Sequence, residues 1–202
     1  MEPQFRSLRD SENTHQAGWI EVVAGCMFSG KTEELIRRLK RAVIAKQHVE
    51  IFKPTIDTRY HIENIVSHNH NSIRSTPVSS AKEIILRAVD CNVVGIDEAQ
   101  FFGSDLAEVC NMLAFSGKRV IVAGLDMDFA GKPFGPMPEL MAIADYVSKV
   151  HAICMVCGAP AGYSYRLVKN NETLLLGETN IYEARCRTCF HQSEVLPPNY
   201  ES

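Results

Sequence analysis

Residues 25–32 read Gly-Cys-Met-Phe-Ser-Gly-Lys-Thr, and no other run restricts the fold of the chain as tightly. The spacing fits G-x-x-x-x-G-K-[ST], a pattern that works as a turn between a strand and a helix. Its chemistry is local. The glycines let backbone N–H groups turn inward on an anion, Lys31 adds a mobile positive charge, and Thr32 offers a hydroxyl to a divalent cation. A helix starting at Gly30 adds the positive end of its dipole. The flanks meet the requirement. Trp19, Ile20, Val22 and Val23 predict a strand entering the turn, and Leu35, Ile36, Leu39, Val43 and Ile44 mark one face of a helix leaving it. Gly25, Met27, Phe28, Ser29, Gly30, Lys31 and Thr32 are thus candidate partners for the β and γ phosphates of a nucleotide. Arg37, Arg38, Lys40, Arg41 and Lys46 interleave with the apolar stripe and are expected on a solvated helix face.

The rest of the pattern supplies the sheet that such a turn needs. A second strand over 48–53 stops at Pro54, and the polar stretch 55–74 carries Asp57, Arg59, His61, His68 and His70. A loop of about twenty residues in a compact domain is functional or disordered. Its histidines lack the paired short spacings of a zinc site and are expected as exposed loop residues. After a helix over 80–89, residues 92–100 read as a buried strand ending in Asp97 and Glu98. In a parallel sheet strand C-termini face the ligand crevice, so both acids should arrive beside the phosphate turn, with Asp97 positioned to organise Mg²⁺. A helix over 105–115 and a strand over 119–123 continue the alternation, which predicts an α/β fold with a mostly parallel sheet covered on both faces. The next turn-rich segment holds Phe129 and Phe134, which either close the core or stack on a planar base.

From residue 151 the character changes. Cys154 and Cys157 form one C-x-x-C pair and Cys186 and Cys189 another, separated by residues 158–185. Two such knuckles predict a closed four-thiolate zinc site, structural because no coordination position is left open. Residues 167–168 and 174–176 are expected to form a hairpin in the insert. Of the remaining cysteines, Cys91 and Cys110 read as small core residues. The boundaries follow: a mobile tail over 1–17, an α/β domain over 18–150, a zinc-binding β subdomain over 151–191 and a tail over 192–202. Hydrophobic residues at 46% fit a globular chain with a real core. The formal net charge of -3 gives no electrostatic reason for a nucleic-acid duplex or an anionic membrane as partner. No apolar run reaches membrane-span length, so the cytoplasm is the expected location. The acids at 97–98 also occur in helicase motifs, but those enzymes need two lobes and a basic strand channel that one small acidic domain does not offer.

Together these pieces resemble the type II thymidine kinases found in vertebrates, many bacteria and poxviruses. The likeness runs from about Trp19 to His191 and is carried by residues 25–32, Asp57-Thr58-Arg59-Tyr60, residues 97–102, Gly124-Leu125-Asp126, Lys132-Pro133-Phe134-Gly135 and the two cysteine pairs. It implies transfer of the γ-phosphoryl group of ATP, with Mg²⁺, to the 5′-hydroxyl of thymidine by a P-loop core with a zinc-bearing subdomain. A homotetramer inhibited by dTTP is also implied. The resemblance makes Glu98 the general base and sets Asp57 and Arg59 near the transferring group, with Asp97 and Gln100 on the nucleotide side. Met27, Phe101, Leu125, Phe129, Phe134, Ser164 and Tyr182 match the base and sugar pocket, over which a loop across 166–177, Leu175 included, folds. Ser164 stands where some members have Thr, and Asp126 and Asp128 are acidic where others vary. The zinc region and the phosphate turn read as separate parts, so metal loss is expected to weaken thymidine far more than ATP.

Overall fold

The computed structural model describes residues 17–55, 64–66, 72–168 and 181–195. A six-stranded, entirely parallel sheet forms its centre, in the order β5-β2-β6-β7-β1-β8. The strands are β1 (Trp19–Gly25), β2 (Val49–Pro54), β5 (Thr76–Val78), β6 (Val93–Ile96), β7 (Arg119–Leu125) and β8 (Tyr146–Val150). Strands β6, β7 and β1 are buried almost throughout, as expected for a parallel sheet with both faces covered. Helix α1 (Lys31–Ile44) covers one face, packing Leu35, Ile36, Leu39 and Ala42 on Val23, Ile51, Val93, Ile121 and Ala123. On the other face α2 (Ala81–Arg87), α3 (Leu106–Phe115) and α4 (Met137–Ile143) enclose a larger core around Phe52, Ile84, Leu106, Met137 and Leu140. Cys91 and Cys110 are buried in it, and burial pushes the Cys110 thiol up to about 12.

Two helix expectations change. Val43 and Ile44 are exposed in the last turn of α1, and small Ala42 takes the buried position instead. An apolar side chain at helical spacing is buried only where the helix still has sheet beneath it. Arg38 is not solvated. Its side chain is 5% exposed and its guanidinium reaches Glu21 of β1 at 2.8 Å, Glu34 at 2.7 Å and Ser148 of β8 at 2.8 Å. Glu21 also accepts from Arg119 Nε of β7 at 2.6 Å and Trp19 Nε1 at 2.7 Å. Burial alone would raise the Glu21 pKa, but the bonds and charges of Arg119, Trp19 and Arg38 outweigh it and hold the carboxyl below its usual range.

The stretch read as one long loop contains an antiparallel pair, β3 (Asn64–Val66) and β4 (Ser72–Arg74). Asp57, Arg59 and the three loop histidines lie outside the described residues. Beyond β8 come the short antiparallel pair β9 (Ala152–Ile153) and β10 (Pro160–Ala161), then β11 (Tyr163–Arg166) paired with β12 (Tyr182–Arg185). The hairpin strands therefore flank the segment expected to form them: residues 167–168 are not strand, and 174–176 with Leu175 fall outside the described residues. Helix α5 (Arg187–Val195) follows and continues past residue 191. Among the described residues no helix is long and apolar enough to cross a membrane.

Candidate active site

The phosphate turn leaves β1 at Gly25 and enters α1 at Lys31. Gly30 caps the helix at φ 81°, a left-handed conformation in which a Cβ is strained. The first turn of α1 leaves its N–H groups without intrahelical partners, so the turn presents donors and a dipole to an anion. Ser29 Oγ and Lys31 Nζ both donate to the Cys26 carbonyl, each at 2.8 Å, so the lysine rests on its own loop.

Strand β6 ends two positions across the sheet from β1, with β7 between them, and delivers Asp97 and Glu98 to the same edge. Thr32 Oγ1 donates to Asp97 Oδ2 at 3.3 Å, which joins the turn to the acid pair. Burial, and then the neighbouring Glu98 charge, push Asp97 up to about 7. A desolvated carboxylate beside a hydroxyl is a fitting oxygen pair for Mg²⁺, which would relieve that penalty. Glu98 itself has φ 52°. Among the described residues only Phe28, Lys46 and Glu98 are non-glycines with positive φ, and two of the three lie in this site. Such strain costs about 1–3 kcal/mol and persists where the surroundings fix it.

Gln100 orients the Glu98 side chain. Its Nε2 donates to Glu98 Oε2, and its Oε1 accepts the Leu125 N–H at the end of β7 at 2.8 Å. Gly135, at φ 51°, lies against it, since a Cβ there would come within 2.2 Å of the Gln100 carbonyl oxygen. Phe101 and Phe134 meet edge to face at 5.7 Å. Asp126 is buried and pairs with Lys149 of β8 at 2.7 Å, while Asp128 Oδ1 accepts the N–H groups of Ala130 and Lys132.

On the other side, β11 aims Ser164 and Arg166 at the site. Ser164 Oγ accepts the Met27 N–H at 3.0 Å. The Arg166 guanidinium stacks on Phe129, 3.5 Å from the ring centroid, and donates to the Tyr182 hydroxyl at 2.9 Å. Arg166 therefore joins two expected pocket residues, and the sequence reading missed it. The alternation Tyr163-Ser164-Tyr165-Arg166 was its signal, because period two puts Arg166 on the face of Ser164. Thus Gly25, Met27, Lys31, Thr32, Asp97, Glu98, Gln100, Phe101, Leu125, Phe134 and Ser164 are linked by contacts, and Phe129 and Tyr182 meet through Arg166.

The Sγ atoms of Cys154, Cys157, Cys186 and Cys189 all lie within 4.8 Å of one another. Cys157 and Cys186 are 3.7 Å apart, close to the roughly 3.8 Å edge of a tetrahedron with 2.3 Å Zn–S bonds. The cluster fits zinc.

An anion-binding turn joined through one acid pair to a separate aromatic wall is the arrangement of a P-loop phosphotransferase. The family model described as thymidine kinase matches residues 18–190. A Bacteroides fragilis (strain YCH46) protein named thymidine kinase is 62% identical over 182 residues, covering 90% of this chain and 92% of the relative. Proteins of the same name from Rhodothermus sp. (strain ITI 518) and Porphyromonas gingivalis (strain ATCC BAA-308 / W83) are 60% and 55% identical. They cover 86% and 94% of this chain, and 81% and 95% of their own lengths. The chain belongs to the thymidine kinase family.

Proposed function

We propose that the protein is an ATP:thymidine 5′-phosphotransferase that makes dTMP and ADP, with Glu98 as general base. The observation that carries this reading is the position of Glu98. It follows Asp97, which bonds the phosphate turn, and its side chain is oriented by Gln100, which also bonds the β7 end beside Phe101 and Phe134. A base between donor phosphate and acceptor pocket is what in-line transfer needs, since the protein does little covalent work.

Lys31 and the N–H groups of the turn bind the triphosphate. Thr32 and Asp97 would hold Mg²⁺, which when bound neutralises phosphate charge, and the family resemblance sets Asp57 near the transferring group. Arg59 stabilises the transferring group. Glu98 takes the proton of the 5′-hydroxyl as that oxygen bonds the γ-phosphorus and the bond from the γ-phosphorus to the bridging oxygen breaks, with ADP leaving. Met27, Phe101, Leu125, Phe129, Phe134, Ser164 and Tyr182 enclose base and sugar, with Leu175 in the covering loop. Zinc in the four-cysteine cluster is structural.

A coupled assay with ATP and a panel of nucleosides tests the reading. Thymidine should be turned over well above the purine nucleosides, and ADP release that does not depend on thymidine would overturn it. Lys31→Ala should weaken ATP binding and lower kcat while changing thymidine affinity less, because the ammonium meets phosphate charge that grows during transfer. Calorimetry with each ligand checks this.

We extend the proposal to a homotetramer inhibited by dTTP, a ligand that could span both sites. Exposed Ile44, Leu86 and Phe115, and edge strand β8 with exposed Tyr146 and Val147, support association. Free cysteines throughout support a reducing, cytoplasmic setting.

A further inference from the structure

The four-cysteine cluster and the phosphate turn share one small core. Cys26, the second residue of the turn, is 1% exposed and packs with Ala152, Cys154, Ala161, Ala184 and Cys189. Two of those five are candidate metal ligands. Cys26 Sγ donates to the Ala161 carbonyl of β10 at 3.3 Å, and the Met27 N–H donates to Ser164 Oγ of β11 at 3.0 Å. The approach is close on the remaining side too, for a Cβ on Gly25 would come within 2.4 Å of the Val150 carbonyl oxygen at the end of β8.

The connection to the metal is short. Cys154 and Cys157 sit in the turn that joins β9 to β10, and that strand pair sets Ala161 opposite Ala152. The Cys154 N–H donates to the Ala159 carbonyl at 2.8 Å, closing the knuckle, and the Met155 N–H donates to the Ala184 carbonyl at 2.9 Å, two residues before Cys186. A metal holding all four thiolates would therefore clamp both chain segments that Cys26 and Met27 lean on. The metal would reinforce the short pairs β9–β10 and β11–β12, which the stack of Tyr163 on Phe190 of α5, at 4.5 Å between ring centroids, also steadies. Short two-stranded pairs are marginal alone.

We infer that Cys26 and Ser164 are positioning residues for ATP. Their bonds seat the phosphate turn on the cysteine knuckle, so that metal occupancy of the cluster sets the turn's affinity for the triphosphate. The inference rests on the reading of residues 25–32 as the ATP phosphate site, and it reverses the expectation that zinc loss spares ATP. Ser164 keeps any contact it makes with the nucleoside, but its hydroxyl also fixes the backbone of Met27, from which the anion-binding turn continues. A Met27 N–H left unpaired in a partly buried turn would let that turn relax away from its anion-binding shape.

Calorimetry of Mg-ATP binding to the full chain, with zinc content measured on each sample, tests this without any acceptor. Zinc-loaded Ser164→Ala should bind ATP roughly tenfold more weakly, the order expected when one partner of a partly buried hydrogen bond is removed. Ser164→Thr keeps the hydroxyl and should stay within about threefold of wild type on the same basis. A hydroxyl that only lined the nucleoside pocket would move the thymidine KM and leave ATP unchanged, which would overturn the inference. Stripping zinc from the wild type should weaken ATP further than it does in the Cys26→Ala/Ser164→Ala double variant, because in that variant the link is already cut. Equal fold-losses in the two proteins would overturn it as well. The zinc-loaded Ala and Thr comparison tests the Ser164 link without chelation, so wild-type ATP affinity in the Ala variant would overturn the inference even if chelation unfolds the chain. ATP affinity exists whether or not thymidine is the acceptor, so failure here is distinct from failure of the thymidine reading.

Discussion

Glu98→Gln should lower kcat with thymidine by on the order of 10²–10⁴ while leaving KM for both substrates nearly unchanged, the usual consequence of removing a general base. The substitution is isosteric, and its amide oxygen can still accept from Gln100 Nε2, so the contact that orients the side chain of residue 98 survives. The left-handed backbone is no harder for Gln than for Glu, since neither branches at Cβ. Thermal unfolding should therefore shift little, which separates a chemical loss from a folding loss. What disappears is a carboxylate that can take the 5′-hydroxyl proton. Steady-state kinetics with saturating ATP is the measurement. Near wild-type kcat in the variant would mean that Glu98 is not the base and that positioning of substrate and phosphate carries the rate.

The parts of this site legible in the sequence were those whose partners are close in the chain or whose direction follows from one strand. The phosphate turn is eight consecutive residues. Asp97 and Glu98 follow from a buried strand and the rule that parallel strands point their C-terminal ends at the ligand. The cysteine pairs are legible because a tetrahedral site needs that repeat. What stayed hidden depends on residues far apart. Cys26 and Ala161 are 135 positions apart, and no local pattern tells a turn cysteine that its neighbour will be a strand of the metal knuckle. Arg38 reads as one more basic residue on an amphipathic helix, because its partner Glu21 lies on a strand whose other positions look like ordinary core. Arg166 was within reach through strand alternation, but only once β11 was assigned to 163–166 rather than to the leucines that follow.

The Glu21 network yields the largest stability effect expected. Glu21→Gln should destabilise the protein by about 3–5 kcal/mol at neutral pH, because removing one member of a buried ionic group leaves the others charged and uncompensated. Glu21 is fully buried, and it faces two guanidiniums, those of Arg38 and Arg119, each with little exposure of its own. At roughly 2–4 °C per kcal/mol for a chain of this size, the midpoint of thermal unfolding should fall by about 10 °C. The effect has a pH signature of fixed sign. The folded carboxyl has its pKa lowered from 4.5, so its stabilisation is complete above that value and is lost as pH falls through the lower folded value. The difference between wild type and variant should therefore be constant near neutrality and shrink on the acid side. Function should follow stability here, because Arg38 is on α1, whose first turn presents the phosphate-binding donors, and Glu21 with Ser148 ties that helix to β1, β7 and β8. A variant that keeps the wild-type midpoint at pH 7 would show that the two arginines find adequate partners without Glu21, with Glu34 and Ser148 as the acceptors already in reach of Arg38, and a deficit that grows as the pH is lowered would overturn the sign of the linkage.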